Sequence, residues 1–546
     1  MSRTAEYPPV LLETATPPAD GPDREVDDSP GFFLQMRADP IARNCALLLL
    51  AGIIWQVFAL GFYLDDWIFV VKTARADAGF SLDRWHAVRL NSLPRPGLTP
   101  LWYGLTSILG DQPILWHAAL LGVNILFVCV LFKISLQLTP DKTERITRVL
   151  FLSVLYWFLL PWNACFHFWL TDVPVMLIMT LFAWCVFLVV RGWNNGRPTF
   201  WAPFAGYLWA CVGYEATYFQ WIPVALIGVT FVLARRTHWT RIARGLLPLI
   251  AAQACAVAWY FVSVRMYGNG NQNRIVPDWP RFFLSNLIRM PQEALKSTEE
   301  TNWIFIPALV GWFVLVCLIF VSSLSSTYQR KSALINFGYI LSCLAGIILS
   351  VLAFSLGGRP IAGLGVDARG FLLADFWFVL GGGIATAYCW KLADGWRLIA
   401  LRIIVVIAAT ALMGGHLQRA FDWATGWRLQ QQLLAEAPVP EMKKMEPGAA
   451  VLLVKPFSFH GVPTLNAPWD INAAMSLTHP ATAGHEFIVY NPWLGPLKWS
   501  GGQLAYSSLV VSKLAPLYIW RPFEHEFFKA PEYLRVDGDL SLHTSP

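Results

Sequence analysis

Apolar stretches long enough to cross a bilayer dominate this chain and leave few folds open to it. Cys45 to Leu64 is nearly uncharged over about 20 positions, the helical equivalent of a ~30 Å hydrocarbon layer. Similar stretches recur near 114–137, 147–163, 169–190, 199–213, 218–234, 246–266, 302–322, 333–356, 370–390 and 398–415. They predict about eleven transmembrane helices. Of 546 residues, 56% are hydrophobic and 14% charged, whereas a soluble protein carries about 25% charged residues. The expected fold class is therefore an all-α polytopic membrane bundle. The stretches 199–213 and 218–234 are short and almost continuous through Gly213-Tyr214-Glu215. Leu98 to Leu109 is too short to span and reads as an interfacial or re-entrant helix.

The net charge of +6 is no nucleic-acid signal, because Lys and Arg are spread between the apolar stretches rather than gathered in a stripe. All nine cysteines lie in or beside apolar segments, with no CxxC and no zinc spacing, so neither a disulfide framework nor a structural metal is indicated. Residues 1–43 are rich in Pro, Asp and Glu. They read as a disordered cytoplasmic tail rather than a secretory signal.

Alternate short loops carry the positive charge: Lys142, Arg145 and Arg148; Arg191 and Arg197; Arg235, Arg236, Arg241 and Arg244; Arg330 and Lys331; Lys391 and Arg397. The positive-inside rule then puts the N-terminus in the cytoplasm and Asp65-Asp66 outside. The expected organisation is a membrane domain over 44–415, with outer loops 65–113 and 267–301, followed by an extracytoplasmic region over 416–546. Each loop holds an amphipathic stretch, 80–90 and 281–289, with the spacing of a helix lying on the membrane surface. Beyond about residue 437 the sequence turns polar and is punctuated by Pro and Gly. Ala449 to Val454 and Leu509 to Val511 read as short buried strands of a small α/β or β region. The scarcity of lysine and the lack of an organelle signal suggest a bacterial inner (plasma) membrane.

Two adjacent carboxylates, Asp65 and Asp66, follow the first apolar stretch inside Tyr63-Leu64-Asp65-Asp66-Trp67. Ionised groups at the edge of a membrane are costly unless used or neutralised, so they mark a candidate site. His167 with Asp172, Glu215, and Arg359 with Arg369 would fall on the same side of the bundle, as would Arg95. A carboxylate can take a proton from an acceptor hydroxyl, and cations can neutralise a departing phosphate. Glycosyl transfer from a lipid phosphate needs both.

With these features the chain resembles the polytopic glycosyltransferases of the GT-C type, which use sugars carried on polyprenyl phosphate. Their signature is an acidic pair in the first outer loop, here Asp65-Asp66. In several branches an Arg-Pro follows, here Arg95-Pro96-Gly97-Leu98-Thr99-Pro100. Gly110-Asp111-Gln112-Pro113-Ile114-Leu115-Trp116-His117 and Gly213-Tyr214-Glu215-Ala216-Thr217 are similar to segments of the same family. Gly97 and the lack of an Asp-Glu pair set the chain apart from the protein-mannosylating branch, and no Trp-Trp-Asp acceptor motif is present. The resemblance implies Asp65 or Asp66, the first for preference, as the base in an inverting displacement or as a ligand to a divalent cation (Mg or Mn). It implies substrate contacts from Arg95, His167, Asp172, Glu215, Arg359 and Arg369, a lipid-linked sugar donor, and a glycan or lipid acceptor.

Plainer roles stand beside these. Interfacial Arg often only anchors a helix end at headgroups, Asp172 could start a helix, and His167 could be a turn residue. A transporter or flippase for a lipid-linked saccharide is the main rival reading. Transporters, however, place their acids near the bilayer midplane in broken helices.

Overall fold

The computed structural model describes residues 32–544, except 74–94, 140–141, 268–274, 364, 447, 456–457, 483, 492–495, 501–502, 507–508 and 514–515. Nine helices among the described residues are long and apolar enough to cross a membrane. There are ten if Glu144–Leu159 and Pro161–Phe168, bent by 56°, count as one span. The protein is a multi-pass helical membrane protein. The remaining expected span, 199–213, is instead a 13-residue helix, Trp201–Gly213, about 20 Å long and too short to cross. It ends where Tyr214 turns extended.

The expectation of an unstructured tail through residue 43 fails at its end. Phe32–Ala38 and Pro40–Ile54 are helices. The Asp39 carboxylate caps the second by accepting from the N–H groups of Ile41 and Ala42 at 3.0 and 3.2 Å. It also binds Arg148, while Phe32 packs 4.6 Å from Phe151. A cap, an ion pair and a buried ring together fix what composition alone left loose.

The predicted surface helix at 281–289 is part of the helix Trp279–Ser297. The stretch 80–90 lies outside the described residues. Residues Gly395–Ala435 form one unbroken helix of 41 residues, about 60 Å long, roughly twice a bilayer core. The boundary expected at 415/416 falls inside it. This helix carries the C-terminal region out from the bundle.

That region is α/β. A four-stranded sheet has Ala450–Leu453 at its centre, parallel to Glu486–Val489 on one side and to Leu517–Arg521 on the other, with Glu526–Lys529 antiparallel at the edge. A five-stranded antiparallel sheet uses Leu497–Ser500, Gln503–Tyr506, Leu509–Lys513, Tyr533–Val536 and Leu542–His543. Parallel strands need a crossover, and Pro468–Thr478 is the helix that supplies it between the first two. Asn472 ties that helix to its strand through two hydrogen bonds with Phe487, at 2.8 and 3.0 Å.

Candidate functional site

The Asp65-Asp66 turn is fixed from three sides. The chain leaves the first span through Gly61, where a Cβ would stand 2.0 Å from the Trp427 ring, so only glycine lets the long helix approach. The Tyr63 hydroxyl donates to the Trp423 carbonyl at 2.7 Å, and Trp67 Nε1 donates to Gln430 Oε1 at 3.0 Å. Both acceptors belong to Gly395–Ala435. Leu64 takes a positive φ of 44°, and Trp67–Lys72 continues as a π-helical turn, a geometry frequent at functional sites.

The two aspartates differ. Asp66 is fully buried. Its Oδ1 accepts from the Thr171 N–H at 2.7 Å and from Thr171 Oγ1 at 2.6 Å, and its Oδ2 accepts from the Tyr63 N–H at 2.9 Å. Burial pushes its carboxyl up to about 8, against these three donors. Asp65 is partly exposed and accepts one hydrogen bond, from Trp469 Nε1 at 3.0 Å. Burial raises its pKa too, with Trp469 and Arg369 offsetting part of the rise.

The segment Trp169 to Asp172 docks against this turn. Trp169 Nε1 donates to the Tyr63 carbonyl at 3.1 Å, and the Arg369 guanidinium stacks over the Trp169 ring at 5.0 Å. Arg369 is therefore carried beside Asp65 by an indole that also fixes the aspartate turn. Asp172 is buried, within electrostatic reach of Arg369 and Arg95. Arg95 makes a two-point ion pair with Glu215, Nε to Oε2 at 2.7 Å and an Nη to Oε1 at 2.5 Å, and lies over the Tyr214 ring at 5.6 Å. Glycines make this pairing possible: a Cβ on Gly97 would sit 2.8 Å from the Gly213 backbone. Arg359 lies within reach of Glu215. It is placed by Asn286, which bonds the Arg359 carbonyl at 2.9 Å and the Ile361 N–H at 3.1 Å.

Arg95, Glu215, Arg359 and Arg369 line the polar end of a cavity of about 260 Å³, whose remaining walls are largely apolar. Phe261 and Ile275, on its apolar wall, are mostly exposed on the flank of the bundle.

No protein-family model matches the chain, and no curated protein matches it. A solved structure does. The chain is similar to the crystal structure of ArnT from Cupriavidus metallidurans bound to undecaprenyl phosphate, at 12% identity and a TM-score of 0.42, over 81% of this chain and 84% of that one.

Of the residues expected in the site, Asp65, Asp66, Arg95, Asp172, Glu215, Arg359 and Arg369 thus fall in one connected group. His167 does not join them. Its Nε2 bonds the Trp157 carbonyl at 3.2 Å, and its ring faces a cavity of about 20 Å³ shared with Gln56, His117 and His416. The acidic pair also does not fit a shared cation as arranged, because N–H and O–H donors already occupy both oxygens of Asp66. Among the described residues no group of three His, Cys, Asp or Glu gathers to hold a metal.

Sequence reasoning missed Trp469, Asp470 and Lys455. Asp470 is 0% exposed, and neither of its oxygens has a hydrogen-bond partner. Burial, helped by the charges of Asp65 and Asp66, raises it to about 9. Lys455 is buried, donates to Thr464 Oγ1 at 3.2 Å, and is lowered by burial to about 7. The one sequence signal was Pro468-Trp469-Asp470, an aromatic and an acid at a helix start in an otherwise unremarked region.

Proposed function

We propose that the protein is a membrane glycosyltransferase that moves a sugar from a polyprenyl-phosphate carrier to a glycan or lipid acceptor on the extracytoplasmic face of the membrane. The observation that carries this reading is the placement of Arg369. It joins the partly exposed carboxylate Asp65 to the charged end of an apolar cleft that opens on the flank of the bundle.

In this reading the carrier chain lies in the cleft and its phosphate meets Arg369 and Arg359. Arg95 is held by Glu215 at the rim and shapes the same field. Asp65 takes the proton from the acceptor hydroxyl as that oxygen bonds to the anomeric carbon. The bond from the anomeric carbon to the phosphate oxygen breaks, and the phosphate leaves with the electron pair, its charge met by the arginines. Attack opposite the leaving phosphate inverts the anomeric configuration. Asp66 acts through the turn and holds Asp65 at the mouth of the site.

The charged groups gather at the end of the bundle that bears the C-terminal region, which supports a surface-opening active site over a transport path through the midplane. Arg235, Arg236, Arg241 and Arg244, at the other ends of the helices that carry the site, support a cytoplasmic placement of that face. The test is sugar transfer in membranes by wild type and Asp65→Asn at matched protein levels. Loss of product in the inserted variant supports the reading. Unchanged product removes Asp65 as the base, and product no greater than in membranes without the protein overturns the reading and sends attention to transport of a lipid-linked saccharide.

A further inference from the structure

The α/β part of the C-terminal region reaches the acidic pair through the start of the crossover helix Pro468–Thr478, which packs on the turn Trp67–Lys72. In open α/β sheets, ligands bind outside the carboxyl ends of parallel strands, where successive connections leave to opposite sides. Ala450–Leu453 is such a strand. The chain leaves it for Glu486–Val489 on one side and returns as Leu517–Arg521 on the other. Lys455 follows its carboxyl end, and Trp469 and Asp470 begin the helix above it.

Two features there remain unspent by the fold. The Trp469 indole gives its N–H to Asp65, yet 51% of the residue is exposed. Beneath it both oxygens of Asp470 are buried and unpartnered. Buried polar groups without partners are rare in native folds and call for a reason. An indole face beside a carboxylate suits a sugar ring: the apolar C–H face stacks on the aromatic surface, while the hydroxyls meet the acids.

We infer that Trp469 and Asp470 form an acceptor subsite for a saccharide, in which a sugar ring stacks on Trp469 and turns a hydroxyl to Asp65. This rests on the glycosyltransferase reading and deepens it, because it makes the acceptor a sugar rather than a bare lipid alcohol. Asp470 is buried as the helix start stands, so it meets a hydroxyl of the same ring only when that turn shifts to admit the sugar. Four charged groups act on Asp65: Asp66 in its own turn, Arg369, Asp172, and Asp470. The Trp469 N–H keeps Asp65 more acidic than burial alone would leave it.

The experiment is saturation-transfer NMR on the full-length protein in detergent, with a panel of methyl hexosides and methyl pentosides. Wild type and Trp469→Phe, which keeps a ring, should saturate the ring protons of at least one glycoside. Trp469→Ala should weaken that binding by roughly tenfold, the order expected for a lost aromatic contact. A thermal melt of each variant separates loss of the subsite from loss of the fold. The inference is overturned if no glycoside binds, or if Trp469→Ala binds as wild type does. Transfer assays in the same membranes judge the enzyme reading separately. An inactive Asp65→Asn beside a fully active Trp469→Ala would keep the enzyme and discard this subsite. An Asp65→Asn that transfers sugar as wild type does would discard Asp65 as the base, and transfer no greater than in membranes without the protein would discard the enzyme, whatever the glycosides do.

Discussion

Thr171 holds Asp66 twice, through its backbone N–H at 2.7 Å and its hydroxyl at 2.6 Å, both on the same carboxylate oxygen. That double bond of contact divides two chemically identical neighbours into a carboxylate spent on the fold and one, Asp65, left at the mouth of the site. The two substitutions should therefore behave differently. Asp65→Asn is expected to lower transfer by about 10²-fold or more, the usual weight of a general base, with little change in thermal stability. Asp66→Asn sets an amide against either the Thr171 donors or the Tyr63 N–H, and should cost about 1–3 kcal/mol of stability. Melting curves and initial rates on the same preparations check both. Equal loss of rate and equal melting temperatures in the two variants would contradict the division.

How far this was readable in advance depends on sequence distance. The end of the first apolar stretch showed where the carboxylates lie, and charge among the loops showed which groups share their side. Their division of labour was hidden because Thr171 is 105 positions away and Trp469 is 404 positions away. Arg95 was visible as a charge before a proline, but its commitment to Glu215, 120 positions on, depends on two glycines meeting. His167 looked like a site residue because it neighbours Asp172 in sequence. Beyond the bend between Leu159 and Pro161 it faces an internal cavity instead. Hydropathy sets the layers, whereas side-chain partners across them follow from packing.

The close approach of Gly97 to Gly213 gives a test of the Arg95 placement. A Cβ there meets backbone atoms at 2.8 Å, which cannot rotate away as a side chain could. Gly97→Ala should cost about 1–3 kcal/mol through forced displacement and should raise the apparent KM for the lipid donor by moving Arg95 and Glu215 apart. An unchanged donor KM with full stability would show that the rim does not depend on this contact.

Asp65 sets the expected pH dependence. Its carboxyl is raised by burial, so the acid limb of the rate profile should lie above the ordinary aspartate value of about 3.9. Trp469→Phe removes the N–H that favours the ionised form, so the limb should move to still higher pH, with the plateau rate nearly kept. A limb at the ordinary position, or one that moves down in Trp469→Phe, would contradict the role given to Asp65.

Magnesium and manganese should have little effect. With donors on both oxygens of Asp66, Asp65 lacks a readily available second carboxylate in its own turn to share a cation. Chelation by EDTA, and restoration with either metal, should change the rate by less than about twofold, where a metal acting as Lewis acid would supply several kcal/mol. Abolition by EDTA and recovery with one metal would show that the carboxylates rearrange around a cation during turnover.

Asp470 gives a prediction that involves no substrate. Its carboxyl is raised to about 9 in the folded chain, against about 3.9 when unfolded. Between these values the folded state holds a proton that the unfolded state has released. Stability therefore falls as pH rises through that window and levels off above it. Asn has the shape of the protonated acid but cannot ionise. Asp470→Asn should accordingly melt close to wild type near pH 5 and increasingly above it as pH approaches 9, by on the order of a few degrees. Melting curves in detergent at pH 5, 7 and 9 measure the gap. A constant gap across that range would mean that Asp470 is ionised in the folded chain throughout it, held so by a cation that offsets its burial. Lys455, held near about 7 by burial, is the nearby base whose charge would then have to account for it.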